Sequence, residues 1–209
     1  PDRFGELYPK LVQRYRYEHV LVAPRHYLDK SHPNIWLADS LVATFPDALF
    51  IGIRRDVFGT VNSMLQHPDV MRWIHRWQNY PVPNRFLGID PRYTDEYHQL
   101  PMESKCAVRW KAHVMQLEYI KEKLGECVLI VDYDDLHKKN IEQLDEIGAF
   151  LQLDSAIPKP PIKESSLERW QNELSQEQCQ NIERALRSFP VFHSAVDWST
   201  HWTARRPQR

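Results

Sequence analysis

The chain has 209 residues, of which 42% are hydrophobic and 26% charged, a balance typical of one globular domain with a substantial core. The formal net charge of −1 excludes a broad cationic surface of the kind that binds duplex nucleic acid, so no nucleic acid partner is predicted. No apolar run approaches the roughly 20 residues that a bilayer crossing needs, so no membrane association is predicted for these residues.

The first 48 residues predict short elements before any sheet. Residues 4–17 show a helical pattern, and His19–Ala23 reads as a short buried strand. His26–Lys30 is predicted to be extended. Asn34 is a plausible N-cap for a helix whose apolar residues recur at helical spacing as far as Phe45.

The middle of the chain predicts a buried strand followed by a helix. Leu49–Ile53 is a continuous apolar run, as expected for a strand that is covered on both faces of a parallel sheet. Asp56 is a suitable N-cap for a helix over Val57–His67. Pro68–Glu103 has little periodicity and is predicted to be irregular.

The last part of the chain continues the alternation of helix and strand. Glu103–Leu124 predicts a long helix, Cys127–Val131 a second buried strand, and Asn140 the cap of a further helix. Ser175 and Gln178 have the spacing of a capping box at the start of the last helix. The alternation predicts an α/β fold around a parallel sheet.

Several residues that suit an anionic ligand follow the predicted extended segments. Lys30, Ser31 and His32 leave the extended piece His26–Lys30, Arg55 leaves the Leu49–Ile53 strand, and Tyr133 follows the Cys127–Val131 strand. Because ligands of open α/β sheets bind beyond the carboxyl ends of the strands, these side chains are predicted to converge. A cation, an imidazole, a guanidinium and an aromatic ring together suit a nucleotide.

The spacing of Arg55 and Ser63 predicts a phosphate site. A guanidinium at a strand end can donate two parallel hydrogen bonds to phosphate oxygens, and a serine hydroxyl on the adjoining helix can donate a third. Two alternatives stay open from spacing alone: Arg55 pairs with a carboxylate such as Asp56, and Ser63 is an ordinary surface serine.

Four segments in consistent order resemble the sulfotransferase family. Lys30-Ser31-His32 is similar to the family's Lys-Thr-His, and Phe45–Ile51 with the following Arg55, Asp56 and Ser63 resembles its Phe-Pro-Asp-Ala-Lys-Phe-Ile, Arg-Asp-Pro and Ser. Val128–Leu136 is similar to Val-Leu-x-Val-x-Tyr-Glu-Asp-Leu. Glu164–Trp170 resembles the C-terminal cofactor-contacting loop, whose basic residues precede a Trp.

The resemblance implies a cofactor and its contacts. The family uses 3′-phosphoadenosine 5′-phosphosulfate (PAPS), which leaves as adenosine 3′,5′-bisphosphate, and needs no metal. Arg55 and Ser63 are the implied 3′-phosphate ligands and Tyr133 the implied adenine contact, with a core aromatic as the alternative for Tyr133. Lys163 and Ser166 are the implied contacts of the C-terminal loop, where this chain keeps one basic residue of the family's pair.

The resemblance also implies the catalytic pair. His32 is the candidate base, because its ordinary pKa of about 6.5 suits removal of the proton of an acceptor hydroxyl or amine. Lys30 is the candidate cation that stabilises developing negative charge. The alternatives for His32 are a turn histidine before Pro33 and a base supplied instead by a Glu of the missing N-terminal part. The alternative for Lys30 is a surface ion pair with Asp29.

A further set of expectations concerns the whole protein. The family implies a P-loop-type three-layer fold, with a parallel sheet flanked by helices. Residues 1–209 are predicted to be one sulfotransferase domain that is truncated at its N-terminus, because the chain begins without Met and none of its six glycines forms the phosphate loop. These 209 residues alone are therefore expected to be inactive. Three scattered cysteines and the absence of an N-glycosylation sequon favour a reducing, cytoplasmic location.

The acceptor and two competing functions stay open. A small molecule, a lipid and a carbohydrate are all candidate acceptors, and aromatic and histidine side chains from His67 to Tyr80 either line an acceptor pocket or belong to the core. These side chains are His67, Trp73, His75, Trp77 and Tyr80. The competing functions are a P-loop phosphotransferase such as a nucleotide kinase and a non-catalytic binding module.

Overall fold

The structure is a computed structural model that describes residues 4–23, 26–138, 140–159 and 167–192. The chain divides into two compact units, Pro1–Ala48 and Leu49–Arg209. The described residues are mostly helical, with one small parallel sheet in the second unit. Within the described ranges, no helix combines the length and the apolar composition that a bilayer crossing requires.

The first unit contains a long helix, a 3-10 turn and a short helix. Helix α1 spans Phe4–Val22, the turn spans His32–Trp36, and helix α2 spans Ala38–Thr44. The strand predicted at His19–Ala23 is wrong, because α1 continues through His19 to Val22. A four-residue apolar run fits a helix as well as a strand, and no glycine or proline separates it from the preceding helical pattern.

The tyrosines of α1 connect it to the rest of this unit. The Tyr8 hydroxyl donates to the backbone carbonyl of Ser40 on α2, at 2.5 Å. The predicted N-cap at Asn34 is wrong, because Asn34 lies inside the 3-10 turn, which begins after Ser31. The Asn34 side chain instead donates to Asp29 and to the hydroxyl of Tyr15.

The second unit is built around two parallel strands. Strand β1 spans Phe50–Arg54 and strand β2 spans Val128–Asp132, each within one residue of the predicted strand. The strands pair in register from Phe50 opposite Val128 to Arg54 opposite Asp132.

The described helices of the second unit include every helix that the sequence predicts there, together with short ones that it does not. They are α3 Val57–Leu65, α4 Pro68–His75, α5 Thr94–Gln99, α6 Met102–Leu124, α7 Tyr133–Lys138, α8 Asn140–Phe150, α9 Trp170–Glu173 and α10 Gln176–Ser188. The segment predicted to be irregular, Pro68–Glu103, contains α4 and α5 and is therefore partly helical. The capping box of Ser175 and Gln178 at the start of α10 is confirmed.

Helix α6 is the centre of this unit, because α3, α10 and the sheet all pack against it. The fully buried side chains of the core include Val61, Ile74, Leu87, Ile89, Tyr97, Cys106, Val108 and Ile182. Gly52 of β1 faces Leu117 of α6 so closely that a Cβ atom at position 52 would clash with the leucine side chain. The missing side chain thus allows close packing of strand and helix.

Candidate functional site

The carboxyl ends of the two strands bring Arg55 and Tyr133 together. Each residue directly follows its strand, and the strands end opposite each other at Arg54 and Asp132. The guanidinium carbon of Arg55 lies 4.9 Å from the centroid of the Tyr133 ring, a cation–π arrangement. The predicted convergence of these two residues is confirmed.

The backbone around Arg55 is held by three hydrogen bonds. The indole Nε1 of Trp110 on α6 donates to the carbonyl of Arg55 at 3.0 Å. The Asp56 carboxylate accepts the amide of Gly59 at 2.7 Å and caps α3, as predicted, and the Asp134 carboxylate accepts the amide of Asp56 at 3.3 Å. The position from which the Arg55 side chain leaves the sheet edge is therefore fixed by both neighbouring segments.

Arg55, Gly59 and Ser63 are spaced four residues apart, so the two α3 residues share one helix face that continues from Arg55. A Cβ atom at Gly59 would lie 3.1 Å from both Nε and Nη2 of Arg55, so the guanidinium rests on the bare backbone of the first helical turn. Ser63 is exposed, about 9 Å of helix rise beyond Val57. A guanidinium, an open helix face and an accessible hydroxyl thus follow one another along α3.

The preceding arginine has a different environment. Arg54 donates from Nε and Nη2 to the two carboxylate oxygens of Asp132, at 2.8 and 3.1 Å, and lies 3.7 Å from Glu118. The hydrogen bond with Arg54 is the largest influence on the Asp132 carboxyl and lowers its pKa. Arg54 therefore joins the two strands, and its charge is balanced inside the chain.

Helix α9 is attached to α3 beside Ser63 by a cluster that the sequence does not reveal. The amides of Asn62 and Gln66 both donate to one carboxylate oxygen of Glu173, each at 2.6 Å. The rings of Phe58 and Trp170 stack with their centroids 4.8 Å apart. The hydrogen bond from Asn62 contributes most to the lowered pKa of the Glu173 carboxyl. The predicted contacts Lys163 and Ser166 lie outside the described residues.

Lys30 and His32 belong to the first unit, and both are exposed. Their segment is organised by Asp29, whose carboxylate accepts hydrogen bonds from Tyr15 at 2.6 Å and Ser31 at 2.9 Å, as well as from Asn34. His32 is the first residue of the 3-10 turn, so the extended segment ends at Ser31. Among the described residues, no ion pair joins Lys30 to Asp29.

Hydrogen bonding keeps the Asp29 carboxyl ionised. Burial acts to raise its pKa, but the hydrogen bonds from Tyr15, Ser31 and Asn34 outweigh burial, so its pKa is lower than the ordinary value. Asp29, the alternative ion-pair partner of Lys30, thus accepts hydrogen bonds from Ser31 and Asn34, which both follow Lys30 in the chain.

The aromatic residues predicted as an acceptor pocket or core differ in burial, and only the core alternative is shown, for Trp77. Trp77 is buried and packs edge-on against Tyr97, with ring centroids 5.5 Å apart, so it belongs to the core. Trp73 and Tyr80 are each 37% exposed. His67 caps α4 through its ring nitrogen. Among the described side chains, no group of three or more His, Cys, Asp or Glu residues is arranged to hold a metal ion.

Comparison with known proteins gives one family. The Sulfotransferase family matches residues 4–156, which contain the two strands and also Lys30, His32, Arg55, Ser63 and Tyr133. The chain belongs to the Sulfotransferase family, as its motifs predict. No curated protein and no solved structure matches the chain.

Proposed function

We propose that this protein is a PAPS-dependent sulfotransferase that transfers a sulfuryl group to a hydroxyl or amine of a small molecule, a lipid or a carbohydrate. The observation that carries the proposal is the Arg55 guanidinium on the Tyr133 ring, at the carboxyl ends of two parallel strands. Family membership supports the reaction class. The proposal includes a three-layer P-loop-type fold and one sulfotransferase domain formed by both compact units.

The residues around Arg55 fit the 3′-phosphate and adenine of this donor. Asp56 already caps the N-terminus of α3 by accepting the amide of Gly59, so an anion would take its hydrogen bonds from the Arg55 guanidinium and the Ser63 hydroxyl rather than from that amide. Tyr133 offers an aromatic ring for the base at the same sheet edge. Lys163 and Ser166 remain proposed as further contacts of the donor.

The catalytic roles follow from the chemistry of two exposed side chains. PAPS, when bound, supplies the sulfuryl group: a bond from the acceptor oxygen or nitrogen to sulfur forms, the bond from sulfur to the phosphate oxygen breaks, and adenosine 3′,5′-bisphosphate leaves. His32 takes the proton of the acceptor group, and Lys30 places positive charge where negative charge develops. Asp29 holds the segment that carries both residues.

The neighbouring arginines allow a matched test of the donor site. We expect Arg55→Met to weaken binding of adenosine 3′,5′-bisphosphate about 10- to 100-fold, because charged hydrogen bonds contribute about 1.5–3 kcal/mol. Arg54→Met is the control and should change the affinity less than about threefold, because Arg54 is bound to Asp132. Isothermal titration calorimetry measures both. Equal losses in the two variants, or tighter binding of ATP with Mg²⁺ than of the bisphosphate, would overturn the proposal.

A second arm of the same experiment tests catalysis. His32→Ala should lose most turnover in the full-length enzyme, while its affinity for the bisphosphate barely changes. Unimpaired turnover in this variant would rule out the base role. Bisphosphate binding by a full-length chain that transfers no sulfuryl group to any acceptor would favour the non-catalytic module.

A further inference from the structure

Arg109 of α6 is a buried cation with no acidic partner among the residues that the structure describes. Arg109 is only 5% exposed to solvent. Nη1 donates to the sulfur of Met64 at 3.8 Å, and the guanidinium carbon lies 4.6 Å from the centroid of the Phe86 ring. Nε is buried and has no hydrogen-bond partner among the described residues. No carboxylate in the described part of the chain forms an ion pair with it.

In this arrangement the hydrogen-bond donors and the charge of the Arg109 guanidinium are only partly compensated. It carries five N–H donors, and a thioether sulfur and an aromatic face replace water poorly for a charged group. Removing such an ion from water costs several kcal/mol unless an anion compensates for it. Burial is the main cause that lowers the pKa of Arg109, to about 10, so the group is still charged at neutral pH.

Two lysines of α6 are structural cations, and their hydrogen-bond acceptors can be compared with those of Arg109. Lys105 donates to the carbonyl of His98 at 3.0 Å. Lys111 donates to the carbonyls of Leu186 and Phe189 at the end of α10, at 2.8 and 3.3 Å. Each lysine thus has fixed oxygen acceptors, whereas the described part of the chain offers none to the Arg109 side chain.

The surroundings of Arg109 suit the acceptor side of the site. Met64 is the residue after Ser63 on α3, so Arg109 lies behind the helix that carries the proposed phosphate ligand. Phe86, which covers Arg109, packs edge-on against Trp73 with centroids 5.3 Å apart. Trp73 is 37% exposed, so aromatic side chains lead from the solvent to the guanidinium.

We propose that Arg109 anchors an anion-binding site that takes a carboxylate or sulfate group carried by the acceptor. This rests on the proposed sulfotransferase function and narrows it to acceptors that are already anionic. An oxyanion would accept the parallel hydrogen bonds that a guanidinium offers and would balance its charge. The aromatic rings of Phe86 and Trp73 would contact the ring of such an acceptor.

Benzoate and benzamide test this site, because they share a ring and differ in charge. We expect benzoate to raise the melting temperature of the wild-type chain in a concentration-dependent way and benzamide to bind at least about tenfold more weakly. Arg109→Met should abolish the difference between the two probes. Lys111→Met, the control for loss of a cation from the same helix, should retain it.

Two further measurements keep the outcome unambiguous. If Arg109→Met does not fold, the Nε–H signal of Arg109 in NMR spectra of the wild-type chain, assigned with Arg109→Lys, should shift with benzoate and not with benzamide. Equal effects of both probes on the wild-type chain, or a benzoate effect that survives Arg109→Met, would overturn the site. The melting-temperature shift with adenosine 3′,5′-bisphosphate should persist in Arg109→Met, so failure of this site is distinguishable from failure of the proposed function.

Discussion

Cys106 is an ionisable residue with no exposed surface, at the centre of the second unit. Burial is the main cause that raises the pKa of its thiol, to about 12 from an ordinary 9. The folded protein therefore keeps the proton that the unfolded chain loses above about pH 9. The stability that this residue contributes is complete below pH 9 and is lost as the pH rises towards 12, by at most about 1.4 kcal/mol per pH unit.

The prediction for Cys106 concerns the slope of stability with pH. Urea unfolding at pH 8, 9 and 10 should show a decline above pH 9 in the wild-type chain that is smaller in Cys106→Ala, although this variant is less stable at every pH because it loses a buried sulfur. Cys127→Ala, which removes a partly exposed thiol, is the control. An unchanged slope in Cys106→Ala would contradict the prediction.

At the scale of one element, Gly59 of helix α3 affects both the stability of the helix and the proposed phosphate site. Glycine is a poor helix former, so Gly59→Ala should stabilise α3 by up to about 1 kcal/mol. The added Cβ would, however, lie 3.1 Å from Nε and Nη2 of Arg55 and would push the guanidinium away from the helix face. We therefore expect affinity for adenosine 3′,5′-bisphosphate to fall about three- to tenfold while the melting temperature does not fall.

The matched control for Gly59 is a glycine on another helix. Gly5 of α1 has no atom within 4 Å of its added Cβ, so Gly5→Ala should give the gain in helix propensity with no effect on the bisphosphate. Calorimetric titration and thermal unfolding separate the two effects. Undiminished affinity in Gly59→Ala would mean that Arg55 does not bind the phosphate from this position.

The helices and strands also show which sequence patterns were sufficient to predict secondary structure. β1 and β2 were predictable because continuous apolar runs of five residues end in polar ones. α4 was overlooked although His67 followed by Pro68 is a helix start, with proline at the first helical position. At the N-terminus, the apolar run from His19 had no turn signal before it, and the continuing helix overrode the strand pattern.

The site was predictable where it depends on strand ends and not where it depends on tertiary contacts. Arg55 and Tyr133 converge because parallel strands place their carboxyl ends at one edge. Glu173 accepts a hydrogen bond from Asn62, which lies more than one hundred residues earlier in the sequence, and no local residue spacing predicts such a contact. Arg109 lies within a helical pattern whose periodicity does not tell a buried arginine from an exposed one.

At the scale of the whole molecule, the proposed donor site depends on the packing of α6 against the sheet. Trp110 of α6 holds the carbonyl of Arg55, and α3 packs on the same helix. Gly52 of β1 faces Leu117 of α6 with no room for a Cβ atom between them. A change in this spacing is therefore expected to disturb the core and the position of Arg55 together.

A double-mutant cycle at Gly52 and Leu117 tests how closely strand β1 and helix α6 pack in solution. Gly52→Ala should cost about 1–3 kcal/mol, because a methyl group enters a filled core and Leu117 must move. Leu117→Ala should cost about 2–5 kcal/mol through the cavity it leaves. Because the second change makes room for the first, the double variant should lose at least about 0.5 kcal/mol less than the sum of the two.

Urea unfolding measures the cycle, and Gly148→Ala, whose Cβ has no atom within 4 Å, should cost nothing. Strict additivity would show that strand and helix do not compete for this space in solution.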